Sequence, residues 1–187
     1  QLDQGFIKKT EISISTDGIK NSSAVLHKKG TVLLSRDAGI GKSAVMYEDM
    51  AVSQHFITWT CDDVLLNNWF LYYKLQILKP EFERIAVGTT IKTIGLPYFK
   101  KLSFSTPKIN EQQKIADYLS TIDSKINLLE EKKAQLALYK KAMMQKLFSQ
   151  EICFKDDNGN DFSEWEEKRL GEVFNSYNGL TGKTKEN

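Results

Sequence analysis

With 187 residues, 41% of them hydrophobic and 27% charged, the chain can bury one modest core and is too apolar to be a disordered segment. Its formal net charge is +2, which excludes a chain dominated by acid or base. It shows neither the basic-then-apolar opening of a secretory signal nor an apolar run near the length a bilayer requires, so the expected place is the cytoplasm and no membrane is expected as a partner.

Charge is distributed unevenly. Residues 1–109 carry a net +4, residues 110–150 a net +2 and residues 151–187 a net −4. Any basic face therefore belongs to the first part, where Lys8 and Lys9 open it. A local excess of this size permits nucleic-acid binding and equally fits an ordinary solvated surface. Cys61 and Cys153 lie in different segments without a CxxC or Cys/His cluster, the pattern of reduced packing cysteines rather than of a disulfide or a metal site.

From the start to residue 66, short β-rich runs alternate with turn residues: Glu11–Ser15, Val25–Leu26, Thr31–Ser35, Ala44–Tyr47 and Phe56–Cys61. Residues 67–78 (NNWFLYYKLQIL) predict a short amphipathic helix, capped by Asn67 or Asn68 and stopped by Pro80. A polar loop around Gly88, Thr89 and Thr90 follows, then a last strand pair near residues 101–105. The expected fold class is α+β, a mostly β head over residues 1–109.

From Asn110 to Ser149 no Gly or Pro occurs, and one helix of about 40 residues and about 60 Å is expected. Asn110 is the expected cap, with Gln113 reaching back in a capping box. Ile115, Leu119, Ile122, Ile126, Leu129, Lys133, Leu136, Lys140, Met143 and Leu147 recur alternately four and three apart. That repeat is a coiled-coil seam, and a helix so long must lean on another. Beyond it, residues 154–161 (FKDDNGND) form a turn-rich connector with its tightest bend at Asn158 and Gly159. The run from Trp165 is too short to be a domain by itself.

No catalytic constellation emerges. The run AGIGKS over residues 38–43 matches the end of a phosphate-binding P-loop, but Arg36 stands where the full pattern wants Gly, and Ala44–Tyr47 favours a strand where a helix should begin. A hairpin loop is the better reading, with Arg36, Lys42 and Ser43 available to phosphates or base edges. His27 and His55 stand outside any nucleophile motif, and the chain has neither an Asn/Asp-Pro-Pro-aromatic methyltransferase motif nor a glycine-rich cofactor loop. Thr89, Thr90 and Lys92 suit DNA contact as well as they suit a plain polar loop. Trp59, Trp69, Phe70, Tyr72 and Tyr73 have core spacings, which favours packing over a stacking platform for single strands.

Residues 107–123 (PKINEQQKIADYLSTID), leading into a lysine-rich heptad helix that ends QKLF at 145–148, resemble the helical region of specificity subunits from type I restriction-modification systems. Upstream, GTVLLSRDAGIGKSAV, the NNWFL helix start and Gly88-Thr89-Thr90 look like the later half of a target recognition domain. Downstream, Trp165, Lys168, LGEV at 170–173 and NGLT at 178–181 look like the opening of another. The resemblance implies a partial target recognition domain over 1–109, a dimerisation and spacer helix over 110–150, and a linker with the beginning of a second recognition domain over 151–187. It also implies sequence-specific binding of double-stranded DNA and the positioning of methyltransferase and restriction subunits, without chemistry or cofactors of the chain's own. S-adenosylmethionine, ATP and magnesium would belong to those partners. The DNA contacts expected are Lys8, Lys9, Arg36, Lys42, Ser43, Thr89, Thr90 and Lys92. The helix would pair with a second copy or with another half-subunit through Ile115, Leu119, Ile122, Ile126, Leu129, Leu136, Met143 and Leu147. The competing expectation is a coiled-coil interaction scaffold that binds no DNA, with Lys133 and Lys140 setting register and partner choice.

Overall fold

The computed structural model describes residues 2–8, 10–89 and 91–175. Lys9, Thr90 and the NGLT run at 178–181 lie outside them. The chain divides into two compact units, 1–130 and 131–187. Both strands and helices are present in an α+β fold, as the sequence pattern implies.

In the first unit a four-stranded sheet has the order β1-β4-β3-β6. The edge strand β1 (Phe6–Ile7) runs parallel to β4 (Ser43–Met46). β4 pairs antiparallel with β3 (Val32–Ser35), with Val32 opposite Val45, and β3 pairs antiparallel with β6 (Phe56–Trp59). A small second ladder joins β2 (Leu26–His27) to β5 (Met50–Ala51). β3 and β4 are buried along their whole length, which is why they read as near-continuous apolar runs. Val32, Leu34 and Val45 face the helix α2 (Asn68–Ile85), packing with Leu71, Leu75 and Phe82. Leu33, Ala44 and Met46 face the other way, against Ile7, Met50 and Phe56.

Three expectations need correction here. Residues 11–15 form no strand; Ser15 instead caps a short helix, α1 (Thr16–Lys20), through its hydroxyl. Pro80 does not stop α2: Asn67 caps the helix by accepting the Phe70 N–H, and the helix runs through Pro80 to Ile85. A mid-helix proline costs about 3 kcal/mol, and the turns beyond it contribute comparably by seating Phe82, which is fully buried, and Ile85 against the sheet. Residues 101–105 form no strand pair either. Pro97 starts the helix α3 (Leu96–Lys101), which buries Phe99 between Trp59 and Phe82, and the chain then continues extended without a ladder.

The long helix α4 spans Ile109–Phe148. Asn110 lies inside its first turn and does not cap it; Lys108 supplies the carbonyl that Glu111 and Gln112 bond. Gln113 does not reach back either, but accepts from the Asn67 amide and donates to Asp117. The side chain of Gln112 is 1% exposed. Its Oε1 accepts the Asn67 N–H (2.9 Å), and its Nε2 donates to the carbonyls of Pro107 (2.8 Å) and Leu65 (3.1 Å). One turn on, Ala116 is buried, and farther along Tyr73 donates from α2 to Asp123 (2.7 Å). Polar and apolar contacts thus seat the first turns of α4 on the head.

From Ile122 onward, Ile122, Ile126, Leu129 and Leu136 are exposed, Ile126 at 47%. Ile115, Leu119, Met143 and Leu147 are half-buried. In the second unit α4 ends at Phe148, Gln150 with a φ of 60° turns the chain, and an Asp156-centred turn with Gly159 at φ 85° follows, as expected of the connector. Phe148 packs edge-on against Trp165, and a single helical turn, α5 (Leu170–Val173), comes after.

Candidate nucleic-acid interface

The AGIGKS run is the loop joining β3 to β4, and the strand β4 begins directly at Ser43 where a phosphate-binding loop needs a helix. Gly41 (φ 78°) lets this loop pass close over α2, because a Cβ there would stand 2.8 Å from Lys79 Cγ. Arg36 brackets Ile94 with backbone and side chain: its carbonyl accepts the Ile94 N–H (2.9 Å), and its guanidinium Nε donates to the Ile94 carbonyl (3.0 Å). This stitch brings the 88–92 turn, closed by paired Val87 and Thr93, beside the hairpin loop. In that turn Gly88 has φ 141°, and a Cβ on it would meet the Ile91 carbonyl oxygen at 2.2 Å.

Between the two loops lies an open cleft of about 470 Å³, lined by Asp37, Gly39, Lys42, Lys79, Glu83 and Lys92 among others. Lys42 and Lys92 are exposed and make no ion pair among the described residues. Lys79 is held by Asp3 (2.8 Å). Burial pushes the Asp3 carboxyl up, but hydrogen bonds from Lys79, Gln76 and the Ser43 N–H outweigh it, and the group lies below the usual carboxylate value. Asp37 is likewise lowered: burial raises it, and hydrogen bonds from His55 and the Ala38 N–H prevail.

The residues expected at the interface are distributed as follows. Lys42 and Lys92 come together at the cleft, Arg36 does not line it but ties the two loops through Ile94, and Thr89 is exposed on the adjoining turn. Ser43 is withdrawn from the surface: it is fully buried, and its hydroxyl accepts from Gln76 Nε2 (2.6 Å). Lys8 lies apart, at the other end of β4, with its ammonium 5.1 Å from the Tyr47 ring centroid. The aromatic residues Trp59, Trp69, Tyr72 and Tyr73 pack in or against the core, and Phe70 is buried as well. Sequence reading missed Lys79. Its signal is the spacing of four from buried Leu75, which places it where the packed stripe of α2 emerges under the hairpin loop.

Residues 2–138 match the family of the type I restriction modification DNA specificity domain. The chain belongs to that family. This stretch holds the whole sheet, the cleft and most of α4. Among curated relatives, the specificity domain resembles the type I restriction enzyme MjaIX specificity subunit of Methanocaldococcus jannaschii, at 26% identity over 97% of this chain and 44% of that protein. It also resembles the putative type I restriction enzyme specificity subunit S.HindORF215P of Haemophilus influenzae, at 30% identity over 56% of this chain and 27% of that one. The chain spans less than half the length of these relatives. A solved type I restriction-modification S subunit from M. genitalium superposes with a TM-score of 0.56 at 23% identity, covering 84% of this chain and 40% of that one, which shows a shared fold. Among the described residues no helix is long and apolar enough to cross a membrane.

Proposed function

We propose that this specificity domain reads double-stranded DNA in a sequence-dependent way and positions methyltransferase and restriction subunits there, without catalysing the chemistry itself, in the cytoplasm where its DNA is found. The observation that carries the reading is the family match over residues 2–138, which takes in both loops of the cleft. The cleft is consistent with it: Lys42 and Lys92 stand without carboxylate partners among the described residues, beside loops whose backbones Arg36 locks together. Unpaired, loop-borne cations over a rigid sheet suit phosphate contact, and Thr89 with neighbouring loop groups suits base edges. In this reading residues 1–109 serve as part of a recognition domain, 110–150 as the spacer, and 151–187 as a linker leading into a second recognition domain.

The exposed seam of α4 supports pairing with a second copy or another half-subunit. Ile122, Ile126, Leu129 and Leu136 are all open to solvent, and water disfavours an uncovered apolar stripe. Repeated selection from a random duplex library by the full chain tests the reading. Enrichment of one sequence is expected, and a pool that stays random refutes sequence-specific recognition. Sedimentation equilibrium tests pairing with a second copy: a dimer is expected that dissociates on Leu129→Glu with Leu136→Glu, and a monomeric parent refutes self-pairing.

A further inference from the structure

A second basic cluster stands at the opposite end of β4 from the cleft. The exposed ring of Tyr47 carries two ammonium groups, Lys8 at 5.1 Å and Lys29 at 5.4 Å from its centroid. Phe6 packs edge-on against the same ring and against Trp69. Asp49 pairs with Lys28 (2.9 Å) and accepts the Lys29 N–H, and neither Lys8 nor Lys29 has an ion-pair partner among the described residues. Cation–π contact with one ring orders both lysine side chains before any ligand arrives, which lessens the rotamer entropy lost on binding.

The spacing of the two clusters follows from two elements that run between them. The segment 3–8 lies along the edge of β4, from Asp3, which holds Lys79 beside the cleft, to Lys8 beside Tyr47. Asp3, Gly5 and Ile7 bond in turn to Ser43, Val45 and Tyr47, so the segment keeps pace with β4, and four strand steps span about 13 Å. α2 gives a second measure. Trp69 packs on Gly5 and Phe6 at one end and Lys79 lies under Gly41 at the other, and ten helical residues rise about 15 Å. The major groove of duplex DNA is about 12 Å wide and the minor groove about 6 Å. Contacts about 13–15 Å apart reach the phosphate walls on either side of a major groove and overshoot those of a minor groove.

We propose that Lys8 and Lys29, anchored on Tyr47, form a second phosphate grip that works with Lys42 and Lys92, so that the two grips straddle one major groove along the edge formed by residues 3–8 and β4. This rests on the DNA-binding reading above and adds Lys29 and Tyr47 to it. The grip carries no sequence information; it sets the register in which the loops of the cleft meet base edges.

The test is a salt titration of the full chain against a fluorescein-labelled random 20-base-pair duplex, followed by anisotropy. Four phosphate contacts give a slope near −3.6 in log K against log salt, an affinity loss of about 150-fold between 50 and 200 mM. The double variant Lys8→Ala with Lys29→Ala should halve the slope, leaving a loss of about 12-fold over the same range. Lys42→Ala with Lys92→Ala should do the same, and all four together should abolish the salt dependence. Both pairs are exposed, so unchanged thermal unfolding is expected and separates lost contacts from lost folding. If the parent binds and the Lys8/Lys29 variant keeps its full slope, the second grip is refuted while DNA binding through the cleft stands. If the parent does not bind duplex at any salt, both the grip and the DNA-binding reading fall.

Discussion

Replacing Gln112 by Leu keeps the volume at the junction of α2 and α4 and removes every polar contact made there. Three backbone groups then lose their partner: the Asn67 N–H and the carbonyls of Leu65 and Pro107. An orphaned buried group costs about 1–3 kcal/mol. Leu65 is exposed and Pro107 half-buried, so water can reach the carbonyls and the total should be about 3 kcal/mol rather than the full sum. For a unit of 130 residues this lowers Tm by about 10 °C, read from the fluorescence of Trp59 and Trp69 or from the helical circular dichroism signal. Gln112→Glu supplies an internal control. At neutral pH it retains an acceptor for Asn67 but faces two carbonyls without a donor, and it should be as damaging as Leu. Below about pH 5 its carboxyl can be protonated and donate once, so part of the loss should return as pH falls. A Tm change under about 3 °C for Gln112→Leu, or no pH-dependent recovery for Gln112→Glu, would refute the role assigned to this side chain.

Asp3→Asn should cost about 1–2 kcal/mol at pH 7, because the charge-assisted bond to Lys79 is lost. The parent's Asp3 is lowered, so its contribution is present above the ordinary carboxylate value and lost as pH falls through the folded one; the two proteins should converge in Tm below that point, and a gap that persists to low pH would contradict this. Gly88→Ala forces a Cβ onto the Ile91 carbonyl and should cost about 2–3 kcal/mol or displace the turn carrying Lys92, which paired thermal and DNA-binding measurements distinguish. The Cys61 thiol, pushed up to about 11 by burial and by Asp63, should resist alkylation at pH 8 while exposed Cys153 reacts, so Cys153→Ser should remove the fast phase of maleimide labelling.

The clearest elements in the sequence are those whose pattern is local and repeated. α4 begins and ends one residue before the expected bounds, because forty positions without Gly or Pro leave the helix nothing to stop it. β3 and β4 follow from apolar runs between turn residues, and Asn67 from its place before the first helical turn. Where the signal was local but the outcome was not, reading failed. Residues 11–15 have strand composition but no strand beside them, and a β-run without a partner leaves its backbone unpaired. Pro80 should end a helix by its own chemistry, and burial of Phe82 overrides it. Gln112 carries a polar side chain in a first helical turn, a position that usually faces water, yet it is among the most buried residues of the head.

The sequence by itself determined that the chain has an α+β head with a long heptad helix, and it carried the motifs of its family. Periodicity and capping act over a few residues, so they are written in order along the chain. Only the tertiary structure decided which cations share a surface. Lys42, Lys79 and Lys92 come from three separate elements, and Lys8, Lys29 and Tyr47 from three others. The same structure took Ser43 into the core. Such meetings depend on how the sheet stacks on α2, a sum of contacts between residues far apart in sequence, and no local pattern encodes them.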